Sequence, residues 1–279
     1  MRSFQCECGD RVFFENSRCL TCRRELGFAL DVAAIVSLGE PVDGVYTTSA
    51  GTFRKCKNYA SEGVCNWIKA ADRPGELCEA CRLNNVIPDI SIPENRTLWA
   101  NVELAKRRLV YTLAQLHLPL LSKEDDPERG LAFDIKSDTG KMRVLTGHAD
   151  GLITLNLAEA DAPTREKARV AMNERYRTLL GHFRHESGHY FWDRLIRERD
   201  RFGEFRALFG DETRDYAASL QAHYAADSNK AWSDAYISAY ASSHPWEDWA
   251  ETFAHYLHMI DTLDTAQDFG FTGRLSPRA

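Results

Sequence analysis

The chain has 279 residues, enough for one large domain or for a small module joined to a domain of catalytic size. With 44% hydrophobic and 27% charged residues it has the composition of a globular protein, and its net charge of −6 gives no general attraction to nucleic acid or to an anionic membrane. No apolar run is long enough to cross a bilayer, and the first residues lack the pattern of a signal peptide. These features predict a cytoplasmic protein without a membrane partner.

All eight cysteines lie in the first 81 residues, in two sets of four that each end in a C-x-x-C pair. The first set is Cys6, Cys8, Cys19 and Cys22, and the second set is Cys56, Cys65, Cys78 and Cys81. In a reducing compartment such clusters favour metal binding over disulfides, and four thiolates complete the tetrahedral shell of a structural zinc ion. The sequence predicts two structural zinc ions, although an interleaved pairing of the eight thiols stays open.

The Cys-rich segment is not predicted to bind nucleic acid. Residues 1–90 carry 11 Lys and Arg against 12 Asp and Glu, so the basic patch of a phosphate binder is missing. Contact with a protein partner is the better prediction for this segment.

Residues 94–118 are predicted to form an amphipathic helix, because apolar side chains recur at steps of three and four. These side chains are Leu98, Val102, Ala105, Leu109, Leu113 and Leu116. The basic residues Lys106, Arg107 and Arg108 fall mostly on the flank of this stripe and are expected to face solvent. Further along, alternation and bracketing glycines predict a small sheet with strands near 131–136, 142–146 and 151–157. From Asp161 onward the chain is predicted to be nearly all helical.

The stretch His-Glu-Ser-Gly-His at residues 185–189 carries the main functional signal. On a helix, His185 and His189 are one turn apart on the same face, so both imidazoles can reach one metal ion. Glu186 can accept a proton from water that a zinc ion activates. The pattern predicts a catalytic zinc site that needs one more protein ligand and one open position.

A later helix, from Pro245 to about Leu263, is predicted to supply the third ligand. We expect Glu251 to be that ligand, with Glu247 or Asp248 as alternatives on the same helix.

Several neighbouring residues have candidate supporting roles. His255, one turn after Glu251, is expected to orient a ligand, while Asp193 could orient His189 or pair with Arg197. The donor that stabilises the developing oxyanion is left open among Tyr236, Tyr240 and His244.

Three long segments carry a resemblance to a known family. They are HFRHESGHYFWDRL, HPWEDWAETFAHYLH and the N-terminal pattern that runs from FQCECGDRVFFEN to LCEACRLNNVIPD. Together they resemble the bacterial zinc-binding metallopeptidases that carry an N-terminal zinc-ribbon. The resemblance implies a gluzincin-type site with His185, His189 and Glu251 as ligands and Glu186 as base. It departs from the thermolysin-like pattern at residue 255, which is His where that pattern has Asp.

The combined prediction is an α+β protein in which a Cys-rich zinc-ribbon module, residues 1–92, precedes a mainly helical, zincin-like metallopeptidase domain with a small sheet, residues 93–279. The predicted cofactors are one catalytic and two structural zinc ions, and the substrate is a peptide or protein. The ribbon module is expected to recognise a substrate or protein partner. Two alternatives remain: a catalytically silent zinc-binding interaction protein, and a nucleic-acid-associated protease.

Overall fold

The architecture combines helices with several small sheets. The computed structural model describes residues 2–139, 143–171, 176–225, 232 and 234–271, and within them the chain forms seven α-helices and eleven short strands. This confirms the predicted α+β class and the Cys-rich N-terminal module. Among the helices in these ranges, none is both long enough and apolar enough to cross a membrane.

The chain divides into two units by its internal contacts. The first unit contains Met1–Leu118 and Met259–Ala279, and the second contains Pro119–His258. These two units are defined by contacts in the folded chain. The predicted domain boundary between residues 92 and 93 was based on composition, and it stays a prediction.

The first unit is built on a five-stranded sheet and one long helix. The elements of this unit are β1 (Ser3–Gln5), β2 (Arg11–Phe13), β3 (Glu25–Ala29), β4 (Ala34–Leu38), β5 (Tyr46–Thr48), β6 (Gly51–Lys55), α1 (Lys57–Ala60), β7 (Trp67–Ala70), β8 (Asn84–Val86) and α2 (Pro93–Gln115). The strands of the five-stranded sheet lie in the order β4-β3-β7-β6-β5, and β1 and β2 form a separate antiparallel pair. Aromatic side chains form its core: Phe28 lies 4.9 Å from the rings of Phe14 and Trp67, and Tyr111 of α2 packs on Phe14 at 5.3 Å.

Helix α2 confirms the predicted helix, but two of the three basic residues on its flank are not at the surface. Lys106 and Arg107 are buried, and Lys106 donates a hydrogen bond to the buried carboxylate of Glu103 at 2.9 Å. Arg107 donates to the carbonyl of Val64 at 2.5 Å. The prediction of a solvated basic flank was therefore wrong for Lys106 and Arg107, whereas the side chain of Arg108 is 37% exposed. A buried cation is tolerated only beside hydrogen-bonding or charged partners. Some of these partners come from other parts of the chain, so the helical pattern alone does not reveal them.

The second unit places a small sheet beside helices. Its elements are β9 (Ala132–Lys136), β10 (Gly147–Ala149), β11 (Leu152–Asn156), α3 (Ala162–Ala171), α4 (Leu179–Trp192), α5 (Phe202–Phe209), α6 (Tyr216–Ala225) and the first part of α7 (Pro245–Asp268), whose residues from Met259 belong to the first unit. Strand β11 pairs with β9 in parallel and with β10 in antiparallel register, and β10 lies at the sheet edge. Phe133 of β9 packs edge to face on Phe183 of α4 at 5.3 Å.

One predicted strand lies a few residues from its expected position. Residues 143–146 form no strand, residue 142 lies outside the described residues, and β10 begins at Gly147. The register is set by the turn, because Asp150 and Gly151 both have positive φ angles, +48° and +79°, as a two-residue hairpin requires. This turn pairs Ala149 with Leu152 and so fixes β10 next to it.

Candidate metal centre

Helices α4 and α7 are in close contact at Gly188. A Cβ atom on this glycine would lie 3.0 Å from the Cα atom of Ala250 and 3.2 Å from its carbonyl oxygen. The indole of Trp249 also donates a hydrogen bond to the carbonyl of Gly188 at 2.9 Å. The small residue inside the His-Glu-Ser-Gly-His stretch therefore permits the close approach that brings the first turns of α7 to the two histidines.

Three side chains converge at this contact. The ligand atoms of His185, His189 and Glu247 all lie within 4.8 Å of one another. Oε2 of Glu247 lies 3.0 Å from Nε2 of His185 and 3.5 Å from Nε2 of His189. This oxygen is buried, and among the described residues no donor meets hydrogen-bond geometry at it. The arrangement leaves a buried carboxylate oxygen facing two ring nitrogens.

Glu251, the residue predicted as third ligand, contacts the other side of the His185 ring. Its Oε1 lies 2.7 Å from Nδ1 of His185, and its Oε2 accepts a hydrogen bond from the hydroxyl of Ser238 at 2.7 Å. The structure therefore brings Glu251 to the site but does not group it with the two Nε2 atoms. Asp248, the other alternative, is buried and is not part of the three-residue group.

The sequence could not choose between these carboxylates. Glu247 and Glu251 are one helical turn apart and project from the same face of α7, so the periodic pattern treats them alike. The choice depends on the position of α7 along α4, which the contact between Gly188 and Ala250 sets. The glycine was the available signal, but its partner cannot be identified without the tertiary contact.

The site holds carboxylates with opposite shifts in pKa. Burial opposes the ionisation of Glu247, but its contacts with His185 and His189 hold its pKa well below the usual range. Burial raises the pKa of Glu186, the predicted base. Glu186 is buried next to the three-residue group and forms no ion pair within the described part of the chain.

Two tyrosines line the site: Tyr240, one of the three candidates for the oxyanion donor, and Tyr216, which the sequence did not single out. The hydroxyl of Tyr216 donates to Oε1 of Glu247 at 2.5 Å, so it occupies the carboxylate oxygen that does not face the histidines. The ring of Tyr240 lies 5.9 Å from the ring of His185. Burial raises the pKa of both phenols, which keeps them protonated and able to donate.

The other two candidates for the oxyanion donor are placed differently. His244 precedes α7, where its Nδ1 accepts from the backbone N–H of Trp246 at 3.1 Å and its Nε2 donates to the carbonyl of Arg214 at 3.2 Å. Both of its ring nitrogens are thus engaged. Tyr236 is 37% exposed, and no contact with the three-residue group is seen for it among the described residues.

Asp193 and His255 have ordinary structural partners. Asp193 pairs with Arg197 at 3.2 Å, which is one of the two roles expected for it. His255 is exposed, and its Nδ1 lies 2.9 Å from the carbonyl of Glu251 in the same helix. Its imidazole is therefore not placed on either histidine of the site.

A cleft of about 430 Å³ opens beside the site within the second unit. His189 packs on Trp246 at a ring distance of 4.2 Å, and the ring of His148 on β10 lies parallel to that of His189 at 6.3 Å. The lining residues are His148, Ala149, Asp150, Trp192, Asp193, Arg197, Glu212, Tyr216, His244 and Trp246. The cleft therefore starts one side chain away from the candidate metal ligands.

The eight cysteines form two separate four-sulfur clusters in the first unit. The clusters follow sequence order, Cys6, Cys8, Cys19 and Cys22 in one and Cys56, Cys65, Cys78 and Cys81 in the other. None of these cysteines forms a disulfide. The second cluster is buried at all four residues, whereas in the first Cys8 is exposed and Cys22 is half-buried. Ligand type, number and proximity fit a structural zinc ion in each.

Comparison with known proteins identifies the family. A family model described as "Putative zinc-binding metallo-peptidase" matches residues 95–278, and one described as "zinc-ribbon domain" matches residues 3–92. The chain belongs to this zinc-binding metallopeptidase family and carries an N-terminal zinc-ribbon domain, which confirms the resemblance seen in the sequence.

Related proteins extend over nearly the whole chain. Uncharacterized proteins from Mycobacterium bovis and from two strains of Mycobacterium tuberculosis are each 44% identical over 268 residues, which cover 95% of this chain and 75% of theirs. No solved structure matches the chain.

Proposed function

We propose that the protein is a zinc-dependent peptidase in which His185, His189 and Glu247 hold the catalytic zinc ion and Glu186 is the general base. Glu247 replaces Glu251 as the third ligand in this proposal. The observation that carries it is the buried Oε2 atom of Glu247, which faces two Nε2 atoms without a hydrogen-bond donor. Two histidines and a glutamate from a later helix make the site gluzincin-like in its ligand set.

The spacing of these atoms fits a zinc ion. Zinc bonds of 2.0–2.2 Å in a tetrahedron separate neighbouring ligand atoms by about 3.4 Å. The two separations from Glu247 Oε2 to the Nε2 atoms are 3.0 and 3.5 Å. A carboxylate buried against two imidazoles fits such a site, because a buried charge requires a partner of opposite charge or a metal ion.

When bound, the zinc ion supplies a Lewis acid that acidifies water and polarises a carbonyl group. Glu186, next to His185 in the chain, accepts the proton of the attacking water and passes it to the leaving amine. Its buried position keeps that proton out of bulk solvent between the two transfers.

The surrounding residues position the ligands and the substrate. Glu251 accepts from Nδ1–H of His185, which leaves Nε2 unprotonated and aimed at the metal, and Ser238 holds the second oxygen of Glu251. In the same way as Ser238 holds Glu251, Tyr216 holds Glu247 by donating a hydrogen bond to its Oε1. Tyr240, a protonated phenol near His185, is our choice for the oxyanion donor.

The edge strand β10 offers backbone groups with which an extended peptide can pair. Its side chains His148 and Ala149 line the cleft, so a peptide bound there would pass close to His189. We propose that the two four-cysteine clusters hold structural zinc and that the ribbon domain recognises a substrate or protein partner. We further propose that the protein works in the cytoplasm, a reducing compartment in which clustered cysteines bind metal and do not form disulfides.

The test is the zinc content of the purified protein under reducing conditions. We expect about three zinc ions per chain in the wild type and about two in Glu247→Ala, with about three retained in Glu251→Ala at a 10- to 100-fold lower affinity. Loss of one ion in Glu251→Ala but not in Glu247→Ala would restore Glu251 as the ligand. Two ions in the wild type would instead favour the silent interaction protein. Peptidase activity that is present in the wild type and absent in zinc-replete Glu186→Gln would complete the case.

A further inference from the structure

We propose that the cleft beside the metal centre binds a basic side chain, Lys or Arg, of the peptide substrate. This inference rests on the proposed function, because it names the substrate class of the same site. The cleft volume of about 430 Å³ accommodates one long side chain together with the backbone that carries it.

The walls of the cleft are mainly aromatic. Trp192, Tyr216 and Trp246 line it, and Trp192 and Trp246 pack against each other edge to face at 6.2 Å. Aromatic faces suit the apolar stem of Lys or Arg and also attract its charged end. Walls of this kind would equally accept a neutral aromatic side chain, so the charges decide the class.

The imidazoles in the lining add no positive charge. Nε2 of His148 accepts from the backbone N–H of Gly151 at 3.0 Å, and Nδ1 of His244 accepts from the backbone N–H of Trp246. Each ring therefore uses one nitrogen as an acceptor and is neutral.

Carboxylates outnumber cations in the lining. Asp150, Asp193 and Glu212 face a single guanidinium, that of Arg197. Arg197 pairs with Asp193, and Glu212 pairs with Arg206, which is outside the lining. Asp150 is exposed at the tip of the β10–β11 hairpin, and in the ranges that the structure describes its side chain has no hydrogen bond or ion pair. It is available to a cation from the substrate.

The position of the cleft determines which substrate residue it selects. Trp246 is next to Glu247 in the chain and contacts His189, and Tyr216 is bonded to Glu247. A side chain in the cleft therefore belongs to a residue close to the cleaved bond. Asp150 follows directly after β10, the strand with which the peptide backbone would pair.

Two substitutions test the charge argument in opposite directions. Asp150→Asn removes the unpaired carboxylate, and Asn tolerates the positive φ angle of +48° at this position. Arg197→Gln removes the one cation of the lining and releases Asp193. Neither residue belongs to the proposed catalytic machinery.

The experiment uses zinc-loaded protein and fluorescent peptides that are uncharged except at one test position. That position carries Arg, Lys, norleucine or Glu, and it is moved along the peptide one residue at a time. Dissociation constants are measured on the Glu186→Gln background, and kcat/KM on proteins with Glu186 intact. We expect Arg and Lys peptides to bind about five- to tenfold more tightly than norleucine peptides at one position. Asp150→Asn should reduce this ratio about threefold, and Arg197→Gln should increase it.

Equal binding of basic and norleucine peptides at every position, or a ratio that both substitutions leave unchanged, would overturn the inference, as would an absence of binding by every peptide. Selective binding of basic peptides that the wild type never cleaves would support the cleft assignment and contradict the peptidase. Cleavage without any preference for basic residues would support the peptidase and contradict the cleft assignment.

Discussion

Glu247 and Glu251 differ by one helical turn and contact opposite nitrogens of the same imidazole. In the proposed metal site this division of roles is expected, because a histidine that binds metal through one nitrogen donates its other N–H to an acceptor. The sequence predicted that His185 and His189 lie together and which helix brings carboxylates to them, while Glu186 as the base stays a prediction. It did not identify Ser238 or Tyr216, because each is recognisable only from the carboxylate oxygen that it contacts in the folded chain.

His182, one turn before His185, provides a test of burial at the residue scale. Burial, with a smaller contribution from Arg177, lowers its pKa to about 4, although Glu159 lies 3.7 Å from its Nε2. The unfolded chain binds this proton at its ordinary pKa near 6.5, so stability should fall as pH decreases from about 6.5 to 4. The loss has an upper limit on the order of 3 kcal/mol.

The measurement is the free energy of unfolding by urea between pH 4 and 7 for the wild type and for His182→Gln, which cannot titrate. We expect the difference between the two proteins to shift in favour of the variant as the pH falls. A difference that does not change with pH would show that folding leaves the pKa of His182 at its ordinary value.

At the scale of elements, patterns within one segment were predicted well and features set by a distant partner were not. The apolar periodicity located α2 and the paired histidines located α4. The burial of Lys106 depends on Glu103 and on Asn84 from another element, and the start of β10 depends on the hairpin geometry at Asp150. Both depend on contacts or turn geometry that apolar periodicity does not report.

The packing of α4 on α7 is tested by Gly188→Ala. The added Cβ would press on the backbone of Ala250 at 3.0 Å, so we expect a loss of about 1–3 kcal/mol in spite of the better helix propensity of Ala. The matched control is Gly203→Ala in α5, an exposed helical position with nothing within 4 Å of the new atom. That substitution should increase stability by about 0.5–1 kcal/mol. The stabilities of both variants are measured by thermal unfolding. Equal changes in stability for the two variants would mean that α4 and α7 can move apart at little cost to accept the added atom.

At the scale of the whole molecule, the two four-cysteine clusters differ in their access to solvent. Cys8 is exposed and Cys22 half-buried in the first cluster, while the second is fully buried. A chelator must reach the zinc ion before it can displace a cysteine ligand. The more exposed first cluster should therefore release its zinc sooner. The buried second cluster belongs to the core that holds the unit together and should release zinc only when that core opens.

Zinc release to a chromogenic chelator, followed over time, provides the measurement, and it is made on the Glu247→Ala background so that only the two cysteine clusters are expected to hold zinc. We expect a fast phase that Cys8→Ser removes and a slow phase that Cys78→Ser removes. Substitution of Cys78 should also destabilise the first unit far more than substitution of Cys8, as measured by urea unfolding. A single phase that both substitutions affect equally would indicate that the clusters are coupled.

Helix α7 begins in the second unit and ends in the first, where Asp261 accepts a hydrogen bond from Thr112, and Asp264 and Asp268 bond to Arg2 and Ser3. The order of synthesis gives this connection a consequence. A ribosome that has completed Leu118 must make another 140 residues before Met259 emerges. At about 5–20 residues per second, that delay lasts roughly 7–28 seconds. During this interval the Cys-rich segment can bind zinc but cannot complete its fold, so a nascent chain arrested before residue 259 would carry loaded clusters in an unfinished unit.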